Sequence, residues 1–151
     1  IMRNFQTERI ALSAMAIGQC LTALDLAYRH VNDRRACGSS LWDKQTVRQR
    51  LSMLAAKTEA ARQLLYHCAW LVDQRPMGSD GAVGAVREVA MLKALSGELV
   101  NEVCYDCQQF HGGMGYMRES AIERMTRDAR VQAIGGGATE VMLEEVAKRM
   151  P

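Results

Sequence analysis

The chain has 151 residues, enough for one domain with its own core, and its 48% hydrophobic and 24% charged content is that of an ordinary globular protein. A net charge of +2 offers no basic patch for nucleic acid or an anionic membrane. No apolar run is expected to reach the roughly 18 residues that span a bilayer, and "IMRNFQTERIAL" lacks the h-region of a signal peptide. Sparse aromatics and abundant Ala, Leu and Met favour helix over sheet. The first predicted helix covers residues 8–31 and ends near Asp33, with Ile10, Ala14, Ile17, Leu21, Leu24 and Tyr28 on one face. The second opens after Asp43, read as its N-cap, and carries Val47, Leu51, Leu54, Thr58, Ala61, Leu65, Cys68 and Val72 inward. It stops before "DQRPMGSDG", where Pro76 and Gly78 mark a loop.

The third helix runs from about Ala82 to His111, with Val83, Val86, Ala90, Ala94, Gly97, Val100, Cys104 and Cys107 inward, until "HGGMGY" breaks it. A short helix over 118–126 and a last one over 138–149 complete the chain. Long helices joined by short connections pack as antiparallel neighbours, so the fold class is all-α, an up-and-down four-helix bundle. The five cysteines, odd in number and scattered, argue against a disulfide framework and for a reducing, cytoplasmic location. Cys104 and Cys107 form a CxxC, but their flanks are helical and no second pair exists; the reading is buried thiols, with no metal site.

Two glycine-bearing segments are less generic. In "CQQFHGGMGYMRESAIERMTRDARVQAIGGGATEV", Gln109 to Tyr116 is followed by Arg124, then Arg127-Asp128-Ala129-Arg130, then Ile134 and Gly137; earlier, "RRACGSSLWDKQ" holds Arg34, Gly38 and Gln45. Gly112 and Gly113 remove side chains where a helix ends, which allows positive φ and close approach of a large planar ligand. Gln109 can offer an amide there, and the Arg34 fork suits a pyrophosphate.

In this order the segments resemble the C-terminal signature of the acyl-CoA dehydrogenases, flavoenzymes that desaturate acyl-CoA thioesters between the α and β carbons. The resemblance implies FAD as cofactor, held in part by Arg34, Gln45, Gln109, Gly112, Gly113 and Thr139, much of it the flavin of a neighbouring subunit. It further implies an acyl-CoA substrate near Phe5, Arg9, Gly136 and Gly137, electron-transfer flavoprotein as electron acceptor, and a homo-oligomer, dimer or tetramer. Two departures stand out: Cys37 replaces the usual aromatic, and Ala138 replaces a threonine, although Thr139 follows.

Many family members carry their catalytic glutamate where this chain has Gly136. The long-chain and isovaleryl branches place it near the start of the bundle's first helix instead, and "TERIALSA" matches that stretch, which makes Glu8 the base. A backbone amide of residue 136 or 137 would then bind the thioester oxygen. The relatives run to more than twice this length, with an N-terminal helical domain and a middle β-domain, so the chain is expected to be a C-terminal domain that is inactive alone. Flavin oxygenases or oxidases of the same fold, and a non-catalytic oligomerisation bundle, remain as alternatives.

Overall fold

The computed structural model describes residues 2–74 and 85–150, with side chains from residue 6 onward. Three long helices dominate: α1 (Met2–Asp33), α2 (Gln45–Asp73) and α3 (Val86–Phe110). They are followed by the single turn α4 (Gly113–Tyr116), by α5 (Ala121–Ala129) running into a 3-10 turn (Arg130–Ala133), and by α6 (Thr139–Ala147). The expected all-α bundle is present, with α3 at its centre, packed against α1, α2, α5 and α6. Its stripe of Val89, Leu92, Val100, Val103, Cys104 and Cys107 is buried, and Gly97 lets other backbone approach. Val83, Pro76 and Gly78, which the sequence reading placed on the third helix and in the loop before it, lie outside the described residues.

The face of α1 differs from expectation. Ile17 is buried, but Ala14, Leu21 and Tyr28 are exposed, and the core contacts come from Ser13, Ala16, Cys20, Ala23, Ala27 and Val31. Small residues face inward because α1 lies close against α3, and periodicity by itself does not choose between a large apolar stripe and a small one. The helix also begins before residue 8, since nothing in "MRNFQTE" breaks it. Contrary to the expectation that no apolar run reaches a bilayer's span, α1 is long and apolar enough to cross a bilayer by length and composition. In this fold that apolarity packs α1 onto α2, α3 and α5.

Between α1 and α2 the chain makes a two-residue antiparallel ribbon, Arg35–Ala36 with Ser39–Ser40, turned by Cys37 (φ 51°) and Gly38 (φ 83°). Positive φ at both turn residues is what a type I′ hairpin requires. Asp43 does not cap α2. Its Oδ2 accepts from the Ser40 amide (2.9 Å) and hydroxyl (2.8 Å), which holds its carboxyl below the usual range, and the N-cap is Lys44, without a side-chain bond. Val72 is exposed at the far end of α2. The short helix begins at Ala121 rather than 118, because extended Met117 and the Ser120 amide bonded to Met117 O occupy that turn.

Candidate active site

The start of α1 meets the glycine loop between the 3-10 turn and α6. Arg9 donates from Nε to the Gly136 carbonyl at 3.1 Å. Gly136 (φ 71°) and Gly137 (φ 122°) lie in the region that favours glycine, so the loop turns as only these residues allow without strain. A Cβ on Gly136 would overlap the Leu12 side chain, and one on Gly137 would meet Met142 Cε at 2.7 Å and Arg9 Nη2 at 3.6 Å. Leu12 stands four residues after Glu8, on the same helix face. Glu8 is therefore on the turn of α1 that overlies the stripped loop, and its carboxylate is exposed. Phe5 lies on the first turns of the same helix, its side chain outside the described residues.

The loop's carbonyls are tied down from the bundle side. Lys93 Nζ donates to Gln132 O at 2.6 Å and to Gly137 O at 3.5 Å. Thr139 Oγ1 lies 3.4 Å from Ala133 O and donates to Glu98 Oε1 at 2.8 Å. The Gly136 and Gly137 amides have no acceptor among the described residues. Arg9 and Lys93 are both without a carboxylate partner among the described residues, which leaves two cations on the carbonyls of a loop whose Gly136 and Gly137 N–H groups are free. Burial, and secondarily Arg9, hold Lys93 below the usual lysine range. Such a face can accept an oxygen on which negative charge grows.

The other candidate residues gather at the opposite end of the bundle. His30 of α1 stacks on His111 at a ring separation of 4.3 Å, which joins the end of α1 to the end of α3. His111 Nδ1 also lies 2.7 Å from Cys107 O, and burial lowers the His30 pKa, with His111 and Arg34 adding to the effect. Around this pair are Arg34, Gln45 on the first turn of α2, Gln109, Gly112 and Gly113, all exposed. Gly112 has φ 57°, and a Cβ on either glycine would stand in open space, so this end presents bare backbone beside amide and guanidinium groups. At about 1.5 Å per residue, His30 is roughly 33 Å along α1 from Glu8.

Residues 1–151 match the family model described as the acyl-CoA dehydrogenase C-terminal domain. The chain belongs to the acyl-CoA dehydrogenase family. It is 34% identical over 140 residues to caffeyl-CoA reductase-Etf complex subunit CarC of Acetobacterium woodii, covering 93% of this chain and 35% of that one. To the mitochondrial long-chain specific acyl-CoA dehydrogenase of Mus musculus it is 33% identical over 150 residues, covering 99% of this chain and 33% of the relative. Among solved structures, one described as a probable acyl CoA dehydrogenase from Mycobacterium abscessus superposes with a TM-score of 0.89 at 35% identity, over 100% of this chain and 38% of that one. The chain thus spans about a third of the length of the relatives it matches.

As an acyl-CoA dehydrogenase bundle, the chain brings together Glu8, Arg9, Gly136, Gly137 and Thr139 at one end, and Arg34, Gln45, Gln109, Gly112 and Gly113 at the other. Thr139 separates from the group in which it was expected: its hydroxyl proton is committed to Glu98, so only its lone pairs face other partners. The CxxC thiols are free and buried, as read; burial pushes Cys104 up to about 11 and Cys107 to about 12. Sequence reasoning missed Leu12, Lys93 and Glu98. Lys93 could have been noticed, because "VAMLKALSG" sets a lysine inside the stripe of Ala90, Ala94 and Gly97, where a core residue belongs.

Proposed function

We propose that this chain is the helical-bundle domain of an FAD-dependent acyl-CoA dehydrogenase, and that Glu8 is the base that removes the α-proton of the acyl-CoA thioester. The observation that carries this reading is the Arg9–Gly136 hydrogen bond. It fixes the carboxylate-bearing turn of α1 over the loop position from which a side chain is missing. Glu8 takes the proton onto a carboxylate oxygen, and the charge left on the thioester oxygen is met by the amides of Gly136 and Gly137. Arg9 holds the loop through Nε, and its remaining N–H groups are left without a carboxylate among the described residues. FAD, when bound, supplies the acceptor for the β-hydride.

Exposed Gln45, Gln109, Gly112 and Gly113, with Arg34 free of any carboxylate among the described residues, have the donors and bare backbone that fit a dinucleotide. Their distance from Glu8 supports contact with the flavin of a second copy, and hence a homo-oligomer. Exposed Leu21, Tyr28, Met53 and Trp70 are apolar surface available to such an assembly. The A. woodii relative's description as an Etf complex subunit supports electron-transfer flavoprotein as the electron acceptor.

The test is Glu8→Gln in the full-length protein, which keeps shape and removes basicity. Acyl-CoA should still bind and perturb the flavin spectrum, while flavin reduction slows on the order of 10²–10⁴-fold. Reduction at the wild-type rate would remove Glu8 from the reaction and favour the oxygen-using relatives of the fold.

A further inference from the structure

We propose that Lys93 is a positioning residue of the active site: its ammonium holds the Gln132 and Gly137 carbonyls against the bundle and so anchors, from before the glycines to their end, the loop whose Gly136 and Gly137 amides face the substrate oxygen. The second half of this role rests on the dehydrogenase reading above.

A lysine on the central helix of a core is costly unless its Nζ is satisfied. Lys93 is only 2% exposed, yet no acid faces it among the described residues, and its partners are two backbone carbonyls, of Gln132 before the glycines and of Gly137, the last of them. The surroundings are built for this contact. Gly97, one turn farther along α3, has no side chain where the Gln132 carbonyl and Ala133 Cα pass; a Cβ there would lie 2.8 Å and 3.1 Å from them. That absence lets the Gln132 carbonyl come within 2.6 Å of Nζ.

On the opposite side Arg9 takes the Gly136 carbonyl. The Gln132, Gly136 and Gly137 carbonyls thus all point at cations of the bundle. Arg9 on the Gly136 carbonyl turns the Gly137 amide, on the opposite edge of the same trans peptide, away from itself, while Lys93 fixes Gln132 before the glycines and Gly137 at their end; the Gly136 and Gly137 amides have no acceptor among the described residues. Lys93 Cε stands 3.7 Å from where a Gly136 Cβ would be, so the lysine stem lies against the loop at the base position. A charge in this place does little for a neutral thioester and more for its enolate, which is the differential effect that speeds a reaction.

The test uses Lys93→Met in the full-length holoenzyme, which keeps the apolar stem and removes the ammonium. Without substrate, amide hydrogen exchange of peptides covering 131–140 should quicken at least about tenfold while α1 and α2 keep their protection. With substrate, kcat should fall on the order of 10²-fold, with acyl-CoA binding kept within about threefold. Unchanged exchange in the loop, or an unchanged kcat, overturns the proposal. Should the variant lose protection throughout, the wild-type protein decides by nitrogen-15 NMR of its lysine side chains. A hydrogen-bonded Lys93 gives an ammonium signal protected from water, and a neutral or rapidly exchanging amine overturns the role. The exchange readout needs no turnover, so a failure of Glu8 as base and a failure of Lys93 as anchor are separable.

Discussion

Arg9 and Gly136, 127 positions apart in the chain, are joined by a single 3.1 Å hydrogen bond from guanidinium to carbonyl. Around that bond Leu12 and Gly136 are complementary: the leucine fills the space a side chain at 136 would need. Moving the carboxylate to the loop therefore requires two changes. In a Glu8→Gln background, Gly136→Glu alone should restore little flavin reduction, because the new Cβ meets Leu12 and the backbone φ of 71° strains any L side chain. Adding Leu12→Ala should raise the reduction rate at least about tenfold over the double variant, equivalent to about 1.4 kcal/mol of barrier. Equal rates with and without Leu12 would show that the loop moves freely to accept the side chain.

Gly97→Ala should destabilise the protein even though alanine is the better helix former by about 1 kcal/mol. The added methyl would stand 2.8 Å from Gln132 O and 3.1 Å from Ala133 Cα, and both are backbone atoms that cannot rotate aside. Overpacking of this kind costs about 1–3 kcal/mol and should win over propensity. Chemical denaturation measures the sign; a gain in stability would mean that the 3-10 turn yields easily.

Cys37 is the one described non-glycine residue with positive φ, at 51° in the hairpin turn. Asparagine tolerates that region better, and Asn-Gly is the preferred pair for the turn. Cys37→Asn should stabilise by about 0.5–1 kcal/mol, raising Tm by about 1–4 °C in a thermal melt.

Alkaline pH should unfold the protein through its core thiols. Burial pushes Cys20 and Cys107 up to about 12, with neighbouring charges adding to it, and Cys68 and Cys104 up to about 11. A folded-state pKa above the ordinary value of 9.0 means that the native state holds the proton longer. Stability from these groups is full below pH 9 and falls as pH rises toward 11–12, by up to about 1.4 kcal/mol per pH unit for each thiol. Lys93, shifted downward, works in the opposite sense and offsets part of the slope. Urea midpoints between pH 8 and 11 should fall steeply, and Cys20→Ala should flatten the decline by about one proton.

The helices, their order and most of the α2 and α3 stripes were legible in the sequence, because a 3.6-residue period and Gly or Pro breaks are local signals. The family was legible as well, since its motifs are short runs such as "FHGGMGY" in a fixed order. Glu8 and Gly136 could be named as alternatives for one role, but the contact of Arg9 and Leu12, on the same turns of α1, with the Gly136 loop depends on α1 lying along α3, a long-range packing outcome. For the same reason the inward face of α1 was misplaced: Leu21 and Tyr28 fit the period as well as Cys20 and Ala27 do, and only the close approach of α3 selects the small residues. Asp43 has the composition of a cap, yet Ser40 reaches its carboxylate first. Lys93 is the sharpest case. A lysine in a helix reads as solvated until tertiary structure sets two backbone carbonyls against its ammonium and closes the core around it.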